Sequence, residues 1–246
     1  MAHDGFDTEG VFDKDYLYFY ADLLTDARSD ADVDLIWRLL DLDAGQRVLD
    51  LACGHGRIAN RLAARGCAVT GLDATALFLD KARAEATHPV EYVLGDMRDL
   101  PWTGEFDRIV LWFTAFGYFS DAGNRQVLRE MADALRPGGR LVIDMNNRDW
   151  IMRAFRPEHV VDHGDDFMID RSEWNPATGR MHTERIVIRD GRVRRTSFVV
   201  RMFTFTELRD WLVDAGLEDV AGYGEDGRPL TTDSHRLVVT ARRPLT

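Results

Sequence analysis

Apolar positions along the first half of the chain follow two periods in turn, and that alternation predicts the fold. Over Lys14–Leu24 and Ser29–Leu40 they recur every three to four residues, with Val33, Ile36, Trp37 and Leu40 forming the second stripe. This is the spacing of amphipathic helices. Ser29 is the expected N-cap of the second helix, since its hydroxyl can accept an orphan N–H of the first turn. After a turn at Asp41–Gln46, short apolar runs predict strands over Arg47–Ala52, Ala68–Asp73, Val90–Asp96, Phe106–Phe113 and Arg140–Asn146. Helical stripes lie between them, over Arg57–Gly66, through Leu77, Phe78 and Ala82, and through Leu128, Met131 and Leu135. Strands separated by such helices cross over to parallel neighbours. The expected fold class is α/β, a Rossmann-like, seven-stranded, mostly parallel sheet with helices on both faces.

The period then changes. Three strictly alternating runs, Met168–Trp174, Arg180–Arg189 and Arg192–Met202, are parted by Asn175-Pro176-Ala177-Thr178-Gly179 and by Asp190-Gly191. An Asp-Gly pair between alternating runs signals a two-residue hairpin. A helix over Thr206–Ala215 and strands over Leu217–Tyr223 and His235–Arg242 complete the chain. The expected organisation is a helical lid over residues 1–46, a core over 47–149 and 204–246, and an antiparallel β insertion over 150–203. That insertion is a candidate surface for a homo-oligomer, a lid or a substrate wall.

Composition narrows the partners. The 246 residues are 45% hydrophobic and 30% charged, with a formal charge of −11, so a polyanion is repelled and nucleic acid is not an expected partner. Arg57, Arg61 and Arg65 are spaced as a solvated helix face. No apolar run reaches the ~20 residues that span a bilayer, and Met1-Ala2-His3-Asp4-Gly5 lacks the marks of a signal peptide. Cys53 and Cys67 cannot build a disulfide framework. No His and carboxylate share a metal-ligand spacing. A cytoplasmic protein with no membrane partner and no metal is expected.

The candidate chemistry lies at the strand ends. Asp50-Leu51-Ala52-Cys53-Gly54-His55-Gly56 runs from a strand into a glycine turn and then a helix, a place where backbone N–H groups can approach a nucleotide-like ligand. Gly54 to Ala59 also fits the relaxed dinucleotide pattern, which leaves a nicotinamide cofactor open. Asp50 favours a ligand carrying an ammonium, because its charge would repel a diphosphate. Asp73 ends the second strand, where a carboxylate can accept both hydroxyls of a ribose or cap the next helix. In Gly95-Asp96-Met97, Asp96 can accept an amino group on a purine while Met97 packs on the ring, Asp99 being the lesser candidate. Trp112-Phe113-Thr114-Ala115-Phe116-Gly117-Tyr118-Phe119 is too aromatic for a mere connection.

Asp50 to Gly56 resembles motif I of the class I S-adenosylmethionine-dependent methyltransferases, D/E-x-G-x-G-x-G, with Ala52 at the first glycine. Asp73, Gly95-Asp96-Met97, Phe106-Asp107 and Leu135-Arg136-Pro137-Gly138-Gly139 extend the likeness in the right order. The resemblance implies S-adenosylmethionine as cofactor. It places Asp50, Ala52, Gly54 and Gly56 around its amino-acid end, Asp73 and Ala74 at the ribose, and Asp96 and Met97 at the adenine. Tyr20, Trp112 and Phe113 join them. The outlying regions are similar to small-molecule N-methyltransferases of natural-product tailoring, including the lincosamide type. That likeness implies a small-molecule acceptor, with Tyr16, Phe116 and Tyr118 shaping the reacting site and Tyr16 and Tyr20 in the lid. A neutral amine attacks without a base, whereas an alcohol needs one. No His follows the fourth strand, Asn146 and Asn147 cannot deprotonate, and His163 and His182 are expected at the surface. N-methylation by proximity and orientation is therefore expected. The alternatives are a base-assisted O-methyltransferase, a non-catalytic nucleotide-binding module and a dehydrogenase.

Overall fold

The structure, a computed structural model, describes residues 6–246; Met1–Gly5, on which the signal-peptide expectation rests, lies outside the described residues. The chain opens with α1 (Thr8–Val11), α2 (Lys14–Tyr20) and α3 (Asp26–Leu40). Thr25, not Ser29, is the N-cap of α3: its backbone is extended and its hydroxyl accepts from the Arg28 N–H. α2 ends at Tyr20 rather than Leu24, and the chain passes to Thr25 through a turn in which the Leu23 and Leu24 N–H groups both donate to the Tyr20 carbonyl. Ser29 sits buried inside α3, donating to the Thr25 carbonyl.

Next come β1 (Arg47–Leu51), α4 (Ala59–Ala64), β2 (Ala68–Asp73), α5 (Ala76–Glu85), β3 (Val90–Leu94), β4 (Phe106–Leu111), α6 (Asp121–Ala134) and β5 (Leu135–Asn146). A short α7 (Arg148–Arg153), absent from the sequence reading, leads to β6 (Glu158–His163), β7 (Asp166–Asn175), β8 (Arg180–Arg189) and β9 (Arg192–Arg201). The chain closes with α8 (Phe205–Asp214), β10 (Glu218–Tyr223) and β11 (Arg236–Arg242).

The main sheet has the order β10-β11-β5-β4-β1-β2-β3. Pairings among β1 to β5 are parallel, and β11 runs antiparallel to both of its neighbours. Side chains on a strand alternate between faces. Leu49, Leu51, Ile109 and Ile143 therefore pack with Val127, Leu128 and Met131 of α6 and with Leu208 and Leu212 of α8. Val48, Val110 and Val142 pack with α3 and α4 on the other face. The strand order reverses between β1 and β4, and ligands of such sheets sit in the crevice at the carboxyl ends there.

The insertion is a second sheet, β6-β7-β8-β9, antiparallel throughout. It has one strand more than the alternation predicted, because Glu-His-Val-Val-Asp-His of β6 is a polar edge strand with little apolar periodicity. Asp190 and Gly191 turn the β8–β9 hairpin, both at positive φ (52° and 70°) as that turn requires. The sheet seats α2: Phe19 packs on Met168 and Val187, and Asp15 pairs with Arg189 and Arg194.

The arginine series is not a solvated face. Arg61 reaches Asp26 and Asp30, and Arg65 reaches Asp34, all on α3. Arg57 is only 8% exposed and is paired with Asp32. Among the described residues no helix is long and apolar enough to cross a membrane.

Candidate active site

The turn after β1 is held open by left-handed backbone. Ala52, Gly54 and Gly56 have φ of 54°, 55° and 78°. Ala52 bears a strain of about 1–2 kcal/mol that a glycine would not. A cavity of about 470 Å³ opens against this turn, at the carboxyl ends of β1, β2 and β4. Gly54 lines it, and a Cβ there would find only Phe78, at 3.8 Å. Gly56, expected at the cofactor, does not line it. A Cβ on Gly56 would stand 2.3 Å from the Tyr92 hydroxyl and 2.8 Å from Ala82, so its job is to let the turn lie close against β3 and α5. Gly56→Ala is expected to cost about 2–4 kcal/mol through overpacking and left-handed strain, read as a melting point lowered by on the order of 10 °C.

Three carboxylates meet at this crevice. Asp50 is 2% exposed, and burial pushes its carboxyl up to about 7, while the neighbouring Arg57 and the Ala59 backbone N–H act in the opposite direction. Its Oδ2 is buried without a hydrogen-bond partner. Asp73 accepts from the Gly54 N–H and the Thr75 N–H, both at 2.8 Å. It thus fixes the glycine turn and supports the start of α5 while lining the cavity, and burial raises its carboxyl too. Asp96 lines the cavity with Met97 and receives a two-pronged contact from Arg98, whose guanidinium lies 4.2 Å from the Phe119 ring.

Aromatic side chains make the remaining walls. Phe12 meets Tyr16 edge-on at 5.2 Å and Tyr118 at 5.6 Å, and Phe6 lies 4.7 Å from Tyr118. Burial raises both tyrosine hydroxyls above their ordinary range, so they stay neutral. After β4 the backbone makes a strained exit, with Phe113 and Thr114 both left-handed (φ 63° and 59°). Their N–H groups donate to Asp144, at Oδ2 and at the carbonyl, both at 2.9 Å. This exit carries Trp112, Phe113, Thr114 and Ala115 along the cavity and turns Phe116 away. Phe116 is 1% exposed and stacked on Phe203, so it belongs to the core and does not shape the reacting site. Tyr20 stands behind Tyr16, stacked at 4.3 Å, with its hydroxyl accepting from Arg185; it does not line the cavity either.

Eleven of the expected residues therefore share one cavity: Tyr16, Asp50, Ala52, Gly54, Asp73, Ala74, Asp96, Met97, Trp112, Phe113 and Tyr118. Sequence reasoning missed Phe6, Phe12, His55, Arg57 and Phe78, which also line it. His55 sits in the motif itself, and Phe12 stands four residues before Tyr16, next to the same aromatic run. Burial, Lys81 and Arg57 lower the His55 imidazole to about 4. His163 lies beside Asp22, Tyr18 and Phe19, and His182 faces a separate hollow on the insertion sheet. Cys53 is free and buried, and burial pushes its thiol well above the ordinary value. Among the described residues no three His, Cys, Asp or Glu side chains converge as a metal site.

Residues 48–139 match the family described as methyltransferase domain. The putative methyltransferase YqeM of Bacillus subtilis is 29% identical over 134 residues, which are 53% of this chain and 54% of that protein, so the match spans about half of that relative. Among solved structures, the CcbJ methyltransferase of Streptomyces caelestis superposes with a TM-score of 0.80 at 24% identity, covering 97% of this chain and 100% of that one. S-adenosylmethionine-bound CalS10, an amino pentose methyltransferase of Micromonospora echinaspora, gives a TM-score of 0.67 at 25% identity, covering 96% and 99%. The residues here fit that cofactor. Asp50 Oδ2 is a buried anion lacking a donor, which an amino-acid ammonium supplies, and Asp73 keeps lone pairs for a ribose diol. Residues 48–139 of this chain are thus similar to a methyltransferase domain, and the fold around them is shared with solved methyltransferases, one of them holding S-adenosylmethionine.

Proposed function

We propose that this protein methylates a neutral amine nitrogen on a small, sugar-sized molecule. The observation that carries the reading is the composition of the wall beyond the glycine turn. Phe6, Phe12, Tyr16, Tyr118 and Phe119 surround that space. The only imidazole reaching the cavity among the described residues is the weakly basic His55.

Bound S-adenosylmethionine supplies a methyl group activated on a sulfonium. The chain's part is to exclude water, hold the acceptor in line and keep its nitrogen unprotonated. An aromatic, poorly hydrated wall does the last of these, since burial disfavours an ammonium. An alcohol would instead need a base within hydrogen-bond reach; Tyr16 and Tyr118 stay neutral far above neutrality, and the carboxylates of the cavity, Asp50, Asp73 and Asp96, are taken up by the cofactor in this reading. The amino pentose named for CalS10 supports an amino sugar as the acceptor class.

Paired acceptors test this: an aminodeoxy sugar and the same sugar with a hydroxyl in place of the amine, followed by release of S-adenosylhomocysteine. The amine is expected to be used at least about a hundredfold faster. Preference for the hydroxyl would overturn the reading. In the same assay His163→Ala and His182→Ala are expected to keep turnover within about twofold, whereas a loss near a hundredfold would reveal general-base chemistry.

A further inference from the structure

All described residues that line the cavity fall between Phe6 and Phe119, so none comes from the insertion sheet. That sheet nonetheless holds the loop from which the acceptor wall is made. Arg180 opens β8 and Arg201 closes β9, and the two are paired across the end of the sheet. The Arg201 N–H donates to the Gly117 carbonyl at 2.7 Å. Arg180 Nη1 donates to the Phe119 carbonyl at 3.0 Å, and its Nη2 reaches Asp121, the first residue of α6, at 2.6 Å. Tyr118 thus lies between two carbonyls that the insertion holds. Phe198 of β9 lies 6.2 Å from its ring.

A second tie to the loop comes from the core. Asn124 of α6 is fully buried; its amide donates to the same Phe119 carbonyl at 2.9 Å, and its Oδ1 accepts from the Phe119 N–H at 3.4 Å. A carbonyl has two lone pairs, and here α6 takes one and the insertion the other. Removing the Arg180 guanidinium therefore leaves the Phe119 carbonyl still bonded. What goes is the contact that fixes Tyr118 and Phe119 against the insertion. The Arg180 and Asp121 side chains are 20% and 54% exposed, so their ion pair adds little stability by itself. Geometry is what the arginine contributes.

We infer that the insertion sheet selects the acceptor without touching it, with Arg180 as the positioning residue that sets Tyr118 and Phe119 in the wall. The inference rests on the small-molecule reading above and deepens it. Methyl transfer needs the acceptor nitrogen in line with the methyl group, and an ångström or so of drift in a wall residue changes which acceptors achieve that. A wall carried on a loop holds such a tolerance only if neighbouring groups lock it. The insertion supplies the lock through hydrogen bonds on either side of one tyrosine.

Two amines competing in one tube test this: the methyl glycosides of an aminodeoxy hexose and of an aminodeoxy pentose, which differ by a hydroxymethyl group. The ratio of their N-methylated products at low conversion is the ratio of their kcat/KM values, and it does not depend on how much of the enzyme is folded. Arg180→Met is expected to change that ratio at least about tenfold, while S-adenosylhomocysteine affinity by titration calorimetry stays within about twofold. Arg180→Lys keeps a charge near Asp121, but its single nitrogen cannot hold both partners, so a change of about threefold is expected. The lysine variant carries the test if the methionine variant fails to fold. Arg195→Met removes an ion pair with Glu184 on the same sheet and should leave the ratio as it is in the wild type. An unchanged ratio in the Arg180 variants, an equal change in the Arg195 variant, or a loss of S-adenosylhomocysteine affinity as large as the change in ratio would overturn the positioning role while leaving the proposed function intact. A wild type that methylates neither amine would instead overturn the proposed function, and this inference with it.

Discussion

Asp50→Asn is expected to raise the melting point of the cofactor-free protein at alkaline pH while weakening S-adenosylhomocysteine at least about a hundredfold. Both effects follow from one buried acid. Burial raises its carboxyl from 3.8 to about 7, so the folded state holds a proton that the unfolded chain releases earlier. The stability from that proton is complete below about pH 4 and is lost as pH rises through about 7. A shift of that size corresponds to at most about 4 kcal/mol. Asparagine cannot ionise, so near pH 8 it should melt some 5–15 °C above the wild type, the order of magnitude for a chain of this length. Near pH 4 the two proteins should melt together. The cofactor reverses the sign: its ammonium stabilises ionised Asp50, so wild-type affinity should rise between about pH 6 and pH 8, and the asparagine variant should lose that slope. Scanning calorimetry across pH, with and without product cofactor, reads all of this. Identical melting of the two proteins at alkaline pH would show that the buried acid carries no strain.

The strand ends that line the cavity are legible in the sequence. The glycine turn, Asp73 and Gly95-Asp96-Met97 are local: each depends on a strand end followed by a turn, and the sequence pattern specifies both. What escaped depends on distant partners. Arg57, Arg61 and Arg65 read as a solvated row because spacing along one helix cannot show the acids at 26, 30, 32 and 34 that face them from α3. Phe116 reads as a site residue from sequence because nothing local divides the aromatic run into two faces. The left-handed pair at Phe113 and Thr114, imposed by Asp144 on β5, rotates the run so that its middle enters the core. Gly56 matched the motif for a reason of packing, the closeness of Tyr92 and Ala82, which only the third strand and its helix reveal.

That same left-handed pair carries the second large expected effect. Asp144 is 2% exposed and bears several loads at once. Its carboxylate accepts from the Phe113 N–H and from Nε of Arg236 at 2.9 Å, with Nη2 of Arg236 also bound to it. Arg236 further donates to Asn146 and lies 5.7 Å from the Phe113 ring. Two adjacent non-glycine residues in the left-handed region cost on the order of 2–4 kcal/mol and persist only where their surroundings dictate them. Asp144→Ala leaves the guanidinium without its charge partner and the Phe113 N–H without an acceptor, so a loss of about 3–5 kcal/mol is expected. Asp144→Asn keeps an acceptor for that N–H and should lose about half as much. If the pair serves the site as well as the fold, the alanine variant should lose turnover of an amine acceptor by about a hundredfold even at a temperature where it is fully folded. The reason is that the Phe113–Thr114 wall would relax by an ångström or so and misalign the acceptor. Product-cofactor affinity, on the proposed contacts at Asp50 and Asp73, should fall far less. Turnover and affinity declining by the same factor would mean that Asp144 stabilises the sheet without positioning the acceptor.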